Sequence, residues 1–396
     1  MKRGSAAATL VVFLALSCAV SAGGTVRPIV PSVSPKESSW VAGFLRHSAK
    51  GSRDLLGVPV DPARPVKEIE RIAERLRPEV NGTADGGKVV EAFRRVLLVE
   101  EGFVYDKSAS NPENYLLESV LVRKKGNCLG LSMLWLAVAD RLGLPFRGVY
   151  VPSHCFVRYE GAGVRRNVEF AERGATWSDG RYRREFRLRE GRPYLRSLDP
   201  PEMVGVFLKT LGAGYSRKGR EEDALRLYDE AGRLFPGLPD VPFNAGVSLQ
   251  KSGRLDEAAG KYRRALELDP ELAAARDNLS ILLARKGRYT EAIEQARRAV
   301  ELEPWNAASR GNLAAAYCGC GRLDEGIREY RAAAEIDPRN PRLQSGLVRA
   351  YFARGWYREA AAACDRAESL GCRFEPSMMQ TLLRYREAPI AREPLP

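Results

Sequence analysis

Cys128, His154 and Glu169 have the residue types, and the order along the chain, that nucleophilic acyl transfer requires. Cys128 follows Asn127, a residue type that often caps helices, and begins an apolar stretch that predicts a helix over residues 128–142. In the first turn of a helix, the helix dipole favours the thiolate form of a cysteine. A carboxylate can hold an imidazole in one tautomer, and an imidazole so held can activate a thiol. These three residues form our candidate catalytic site.

His154 and Glu169 are predicted to face each other across a β-hairpin. Residues 160–163 are predicted to form a four-residue turn between two strand-like stretches. If Tyr159 pairs with Val164 across this turn, counting outward places His154 directly opposite Glu169. Paired residues project to the same face of a hairpin, so the carboxylate could then steady the imidazole.

This prediction depends on the register of the hairpin and leaves alternatives open. A slip of one residue would bring Asn167 or Val168 to the position of Glu169. Cys155 follows His154 on the same strand, so alternation directs the Cys155 side chain to the opposite face, into the core. Taken one at a time, a cysteine in a helix is most often a small buried hydrophobe, and a histidine on a strand a structural residue.

The elements that must position these residues lie in a mixed region over residues 40–200. It opens with helical patterns, such as residues 66–76, and continues with the apolar helix over 128–142. Strand-like stretches follow at 149–159 and 164–170.

The first 22 residues have the pattern of a secretory signal peptide. Lys2 and Arg3 precede a short apolar run over residues 10–16, and Val20-Ser21-Ala22 offers small residues to a signal peptidase. The run is too short to span a membrane, which takes about 20 residues. We therefore expect an exported protein of the periplasm or cell envelope.

A lipid anchor at Cys18 is an open alternative to a soluble exported form. Residues 14–18 loosely resemble a bacterial lipoprotein box, although Ala15 stands where leucine is usual. The chain has seven cysteines, and those beyond Cys18 are unevenly spaced, without a disulfide framework. With two histidines and no Cys-x-x-Cys pair, we expect no metal site and no cofactor.

From Gly205 the chain repeats with a period of 34 residues. Glycines recur on this interval at positions 219, 253, 287, 321 and 355, and prolines at 236, 270, 304 and 338. Small residues recur at positions 224, 258, 292, 326 and 360, and again at 231, 265, 299, 333 and 367. A glycine releases the chain from a helix, a proline stops the next helix, and small residues let the paired helices approach closely.

This pattern resembles the tetratricopeptide repeat (TPR) family over residues 205–374, as five repeats. The resemblance implies an all-α solenoid, in which neighbouring helix pairs stack to share a core. It also implies a concave groove that binds a protein or peptide partner.

The chain before the repeats resembles the transglutaminase-like superfamily at residues 126–132, 139–145 and 151–158. More narrowly, it is similar to the bacterial SirB-type branch, called transglutaminase-like core 2. The likeness covers roughly residues 90–208. It implies a papain-like α+β fold with a Cys-His-Asp triad.

By this resemblance, Cys128 is the nucleophile, His154 the general base and Glu169 the acid that orients the imidazole. Glutamate replaces the usual aspartate, and Cys155 stands where a bulky apolar residue is common. Many members of the SirB-type branch lack the cysteine, so its presence favours a working site.

The formal net charge of +13 invites comparison with proteins that bind anionic partners. In the densest cluster, residues 181–189, arginines alternate with aromatic residues, which could suit RNA or an anionic lipid head. No nucleic-acid motif accompanies the cluster, and export argues against such a partner. We therefore expect no nucleic-acid binding and favour an alternating β-strand with a solvated, arginine-rich face.

The sequence thus predicts a signal peptide over 1–22, a linker over 23–39, a transglutaminase-like domain over 40–204, five TPR repeats over 205–374 and a C-terminal tail over 375–396. It favours an exported cysteine hydrolase or acyltransferase that acts on protein amides, with the TPR groove presenting the substrate. The alternative is a non-catalytic scaffold of the cell envelope, in which the transglutaminase-like domain is only a binding module.

Overall fold

The computed structural model describes residues 39–108, 111–161, 163–188 and 194–386. The predicted signal peptide, Cys18 and all but the last residue of the predicted linker lie outside these ranges. Within them, no helix is long and apolar enough to cross a membrane.

A helix that is buried on every side forms the centre of the first domain. This helix, α5, comprises Cys128–Arg141, as its apolar sequence predicts, and its residues are buried as far as Ala139. Such all-round burial requires other elements on each side. Four helices precede it: α1 (Ser39–Gly51), α2 (Ala63–Val80), α3 (Gly86–Phe93) and α4 (Leu117–Arg123). π-helical segments extend α1 over Ser52–Leu56 and α3 over Arg94–Glu100.

An antiparallel sheet packs against α5. Its strands are β3 (Phe146–Val151), β4 (His154–Gly161), β5 (Val164–Val168) and β6 (Ser197–Leu198), in the order β5, β4, β3, β6. Two short strands, β1 (Val104–Tyr105) and β2 (Lys125–Gly126), form a separate parallel pair. Helix α6 (Asp179–Glu185) covers the opposite face of the sheet, where Phe156, Trp177 and Tyr182 belong to a second, smaller core. The domain is therefore a layered α+β structure.

Two predictions about the hairpin are wrong. The stretch 149–159 is two strands rather than one, because the chain turns at Ser153, which has a φ of +63°. The next loop is two residues long rather than four, since Gly161 pairs with Val164, and Tyr159 therefore has a different partner. The glycine before Val164 has a φ of +72°, which suits so tight a turn.

The predicted arginine-rich β-strand over residues 181–189 is also wrong. This part of the chain is helical from Asp179 to Glu185 in α6. The Ser178 side chain caps the helix by accepting a hydrogen bond from the Arg181 N–H at 3.2 Å. Arg189 lies outside the described residues.

Helix pairs follow one another through the repeat region. They are α7 (Pro200–Arg217), α8 (Glu221–Leu234), α9 (Asp240–Lys251), α10 (Leu255–Leu268), α11 (Ala273–Arg285), α12 (Tyr289–Leu302), α13 (Ala307–Gly319), α14 (Leu323–Ile336), α15 (Pro341–Arg354) and α16 (Tyr357–Ser369). The repeat glycines all have positive φ, and every alanine at the small-residue positions is fully buried. A final helix, α17 (Pro376–Arg386), packs against α16 within the predicted tail.

Helix α7 also belongs to the core of the first domain. Its residues Met203, Phe207 and Leu208 are fully buried and share one apolar cluster with Phe44 and Tyr115. The rings of Phe207 and Phe44 meet edge to face, with centroids 4.9 Å apart. The first repeat is therefore continuous with the domain that precedes it.

Candidate active site

Cys128 is held in the first turn of α5 by the residues on either side of it. Oδ1 of Asn127 accepts hydrogen bonds from the N–H groups of Leu129 and Gly130, each at 3.0 Å, which confirms the predicted N-cap. The Asn127 N–H donates to the carbonyl oxygen of Asn114 at 2.8 Å. Gly130 permits this approach, because a Cβ there would lie 2.3 Å from the same oxygen. The position of the thiol is thus set by backbone contacts.

His154 begins β4 and lies beside Cys128. Its Nε2 atom is 2.8 Å from Oε2 of Glu169, and the ring is close enough to Cys128 for the thiol to raise its pKa. Since Glu169 occupies Nε2, Nδ1 is the ring nitrogen available to Cys128. The ring stacks on Phe186 at a centroid distance of 5.1 Å. The structure therefore brings together the three residues of the predicted site.

Glu169 reaches His154 diagonally rather than from directly across the hairpin. The observed register pairs Val157 with Val168, which places Phe156 opposite Glu169 and differs by two residues from the predicted register. A shift of two residues keeps every side chain on the same face of the sheet. Glu169 therefore still points to the face that carries His154.

The two alternatives to Glu169 lie elsewhere. Val168 is fully buried in the main apolar core. Asn167 accepts a hydrogen bond from Nε of Arg158 at 2.7 Å and donates one to Oδ1 of Asp179 at 2.8 Å. Arg158 is itself fully buried and donates from Nη2 to Asp179 at 2.7 Å. This polar network ties α6 to β4 and β5 behind the site.

Tyr182 of α6 is a residue of the site that the sequence analysis missed. Its hydroxyl donates to Oε2 of Glu169 at 2.9 Å, the same oxygen that His154 contacts. The N–H of Ala171 donates to the other oxygen, Oε1, at 2.9 Å. Tyr182 is fully buried, and its ring stacks on that of Phe156 with centroids 3.9 Å apart. The carboxylate is thus held at both oxygens.

Interactions among these side chains, together with burial, shift their pKa values. A bond with Cys155 lowers the pKa of Cys128 well below its usual value, against the opposing effect of burial, and a bond with His154 lowers it further. Burial by itself would lower the pKa of His154, but bonds with Cys128 and Glu169 raise it to about 9. Both shifts favour a thiolate beside an imidazolium, the reactive state of a cysteine nucleophile.

Cys155 contacts Cys128, which strand alternation alone did not predict. As expected, Cys155 is buried on the face of β4 that packs against α5. Its hydrogen bond with Cys128, together with burial, raises the pKa of the Cys155 thiol well above its usual value. Cys155 therefore keeps its proton, and its presence favours the thiolate form of Cys128.

The fold and the motifs define the class of this protein. Residues 64–196 match the model of the transglutaminase-like superfamily. Residues 243–308 and 312–371 match that of the tetratricopeptide repeat. The chain thus joins a transglutaminase-like α+β domain to an all-α TPR solenoid, as predicted.

Curated relatives match a little under half of the chain. A UPF0162 protein of Vibrio cholerae is 28% identical over 181 residues, which are 43% of this chain and 66% of the relative. A UPF0162 protein of Xylella fastidiosa is 26% identical over 196 residues, 46% of this chain and 68% of the relative. The chain therefore spans about two thirds of the length of these relatives, whose names state no activity.

Solved structures resemble a similar share of the chain. MamA from Desulfovibrio magneticus RS-1 is 22% identical with a TM-score of 0.40, covering 42% of this chain and 94% of its own. YrrB, described as a TPR protein with an unusual peptide-binding site, is 20% identical with a TM-score of 0.39, covering 46% of this chain and 92% of its own.

Proposed function

We propose that this protein is a cysteine hydrolase or acyltransferase that acts on amide groups of proteins or peptides. The observation that carries the proposal is the position of His154, which lies 2.8 Å from Glu169 and close enough to Cys128 for the two residues to shift each other's pKa. Such an arrangement supplies a nucleophile, a proton carrier and a group that orients the carrier.

The proposed reaction begins when the Cys128 sulfur attacks the carbonyl carbon of the amide. A C–S bond forms and the carbonyl electrons move to oxygen. The Cys128 N–H lies in the first turn of α5, where backbone amides lack intrahelical acceptors, and can bind this oxyanion. His154 gives its proton to the leaving nitrogen as the C–N bond breaks, which leaves a thioester.

The second half of the reaction releases the acyl group. Water attacks the thioester in hydrolysis, and an amine does so in acyl transfer. His154 takes a proton from the attacking group as the C–S bond breaks, which returns the thiolate and the imidazolium. Glu169 keeps Nδ1 aimed at the sulfur in both halves, because it holds Nε2 throughout.

Alkylation of Cys128 by iodoacetamide tests the nucleophile without knowledge of the substrate. We expect Cys128 to react at least about tenfold faster than Cys155, Cys318 or Cys364, because reaction follows the thiolate fraction and access. His154→Ala should slow Cys128 alone. Peptide mass spectrometry after timed quenching gives each rate. Equal rates at all four cysteines, unchanged in the variant, would remove the basis for the proposal.

We propose that the TPR solenoid binds the substrate protein, or a partner that brings the substrate. TPR repeats at residues 243–371 support a protein- or peptide-binding role. The core that α7 shares with the first domain keeps this binding element next to the candidate site.

A non-catalytic scaffold is the alternative, and the glutamate in place of the usual aspartate favours it. Cys128→Ala separates the two functions in cells. If the site is catalytic, the variant loses the cellular phenotype of the parent while co-purifying with the same partners. If the protein is a scaffold, both the phenotype and the partners persist.

We also propose export to the periplasm or cell envelope, on the basis of the first 22 residues. Intact mass measurement of the protein from its native host tests this. Loss of residues 1–22 is expected for a soluble form, and a diacylated Cys18 for an anchored form. A full-length cytoplasmic protein would contradict both.

A further inference from the structure

A cavity of about 590 Å³ lies beside the candidate site. Its walls come from the end of the π-helical segment after α3, from β1 and the residue before it, and from the turn that follows Glu169. The lining residues are Arg94, Leu98, Val99, Phe103, Val104, Tyr105, Phe170, Ala171 and Arg173. The volume is in the range of about 300–1,000 Å³ that is typical of ligand pockets.

We propose that this cavity binds a bulky, uncharged apolar side chain of the substrate, next to the amide that is attacked. The inference rests on the proposed function and names its substrate class: peptides or proteins with an aromatic or large aliphatic residue at the acyl position.

Two walls of the cavity border the candidate site. Tyr105 pairs with Gly126, two residues before Cys128. Burial raises the pKa of Tyr105 to about 12, and the negative charges of Cys128 and Glu169 add to this effect. On the other wall, the Ala171 N–H is bonded to Oε1 of Glu169. A side chain in the cavity therefore lies close to the thiol and to the acid.

The cavity leaves apolar side chains exposed to water. Val99 is 64% exposed and Val104 is 52% exposed, whereas Phe103 and Phe170 beneath them are almost fully buried. An apolar side chain in the cavity would remove both valines from water, which is favourable at about 25 cal/mol per Å². The rim is thus suited to an apolar group rather than a polar one.

The cavity wall also carries positively charged side chains. Arg94 and Arg173 both line the cavity. Arg94 is bonded to Glu91, whereas Arg173 forms no ion pair with another residue of the part of the chain that the structure describes. The Lys124 ammonium, which lies 4.3 Å from the centre of the Phe103 ring, is likewise paired, with Glu101 at 3.0 Å. The charge of Arg173 therefore disfavours a lysine or arginine side chain of the substrate.

The experiment compares three chloromethyl ketones, those of N-acetylphenylalanine, N-acetylglycine and N-acetyllysine. Each alkylates a thiolate with loss of chloride and presents one side chain beside the reacting carbon. Rates at Cys128 in the full chain are divided by the iodoacetamide rate of the same protein. We expect the phenylalanine reagent to be at least about tenfold faster than the glycine reagent, and the lysine reagent to be the slowest.

Paired valine substitutions supply a matched control. Val99→Gln with Val104→Gln should bring the phenylalanine and glycine rates within about twofold, while the iodoacetamide rate stays unchanged. A separate cavity of about 620 Å³ exposes Val58 at 47% and Val122 at 56%. The same double change there should leave the preference intact.

The outcomes distinguish this inference from the proposed function. Fast iodoacetamide labelling of Cys128 without a preference for phenylalanine overturns the cavity assignment and leaves the nucleophile in place. Loss of the preference in the control pair also overturns it. Slow iodoacetamide labelling of Cys128 in the parent overturns the proposed function, and the cavity assignment with it.

Discussion

Nε2 of His154 lies 2.8 Å from Oε2 of Glu169, and this contact leaves Nδ1 of the same ring for Cys128. The imidazole cannot turn away without breaking a bond to a carboxylate that is only 1% exposed. Leaving such a buried charge without its partner costs about 3–5 kcal/mol. The imidazole is therefore held in its orientation before a substrate arrives.

The first prediction concerns pH. Because the pKa of Cys128 is lowered, its thiolate persists at pH values where a free thiol, with a pKa of about 8.5, is protonated. Between pH 6.5 and 8.5 we expect the iodoacetamide rate at Cys128 to change less than about threefold, against about 50-fold for a free thiol with that pKa. Parallel profiles for the protein and the free thiol would contradict the lowered pKa.

The pH dependence of amide turnover reports on His154. Its pKa is raised to about 9, so the imidazolium is present below this pH and is lost above it. Hydrolysis of an amide needs that proton for the leaving nitrogen. We therefore expect amide turnover to fall above about pH 9 while alkylation of Cys128 continues.

The second prediction concerns Tyr182. Tyr182→Phe removes the hydroxyl that donates to Oε2 of Glu169, so the carboxylate orients His154 less firmly. We expect the alkylation rate of Cys128 at pH 6.5 to fall about three- to tenfold, measured as above.

Tyr262→Phe is the control for this change. It removes another buried tyrosine hydroxyl, one bonded to Oε1 of Gln250 at 2.9 Å in the solenoid. Both variants should lose about 1 kcal/mol of unfolding free energy. Only Tyr182→Phe should slow alkylation, and equal slowing in both would mean that Tyr182 acts through stability alone.

The third prediction concerns the network behind the site. Arg158→Ala leaves Asn167 and Asp179 without their buried partner, and we expect a loss of about 3 kcal/mol in unfolding free energy by urea titration. Arg264→Ala removes an exposed pair with Glu267 and should cost less than about 0.5 kcal/mol. Similar midpoints for the two variants would show that the network contributes little.

The fourth prediction concerns the small residues of the repeats. Ala367 is fully buried in α16, whereas Ala362 on the same helix is exposed. Ala367→Leu should destabilise the protein by about 1–3 kcal/mol through overpacking. Ala362→Leu should change stability by less than about 0.5 kcal/mol. Thermal unfolding followed by circular dichroism compares them, and equal melting temperatures would be inconsistent with close helix contact at Ala367.

The fifth prediction concerns α7. A fragment of residues 39–199 lacks Met203, Phe207 and Leu208, which are buried in the core of the first domain. We expect it to be unfolded, with collapsed amide dispersion in NMR spectra, because loss of several core side chains exceeds the stability of a typical domain. A fragment of residues 39–253 should fold. Folding of the shorter fragment would show that the domain does not depend on the repeat.

The features that sequence reasoning predicted are local ones. Helix α5 is apolar throughout and carries its own cap at Asn127, so neighbouring residues suffice to define it. The TPR region can be predicted from its sequence period, which recurs five times. The candidate site of Cys128, His154 and Glu169 could also be predicted, because these residues lie in motifs of known type.

What sequence reasoning missed depends on contacts between distant segments. The turn glycines allowed more than one loop length, and only packing of the sheet selects the two-residue loop before Val164. Tyr182 was assigned to a strand because aromatic residues alternate with arginines there, and the helix cap at Ser178 was not considered. The contact of Cys155 with Cys128 arises from the packing of α5 over β4, which no local pattern encodes.

Helix α7 belongs both to the first repeat and to the core of the first domain, so the two ends of the solenoid are not equivalent. Whole repeats beyond α14 could be duplicated or deleted in evolution with little effect on the residues around Cys128, since each repeat packs mainly on its neighbours. Nearer the junction the repeats also meet the first domain, as where Arg187 lies over the ring of Trp305. The first repeat has no such freedom, because its side chains complete the domain that holds the thiol. The length of the array can therefore diversify at its far end, while the junction next to the thiol must be inherited as one piece.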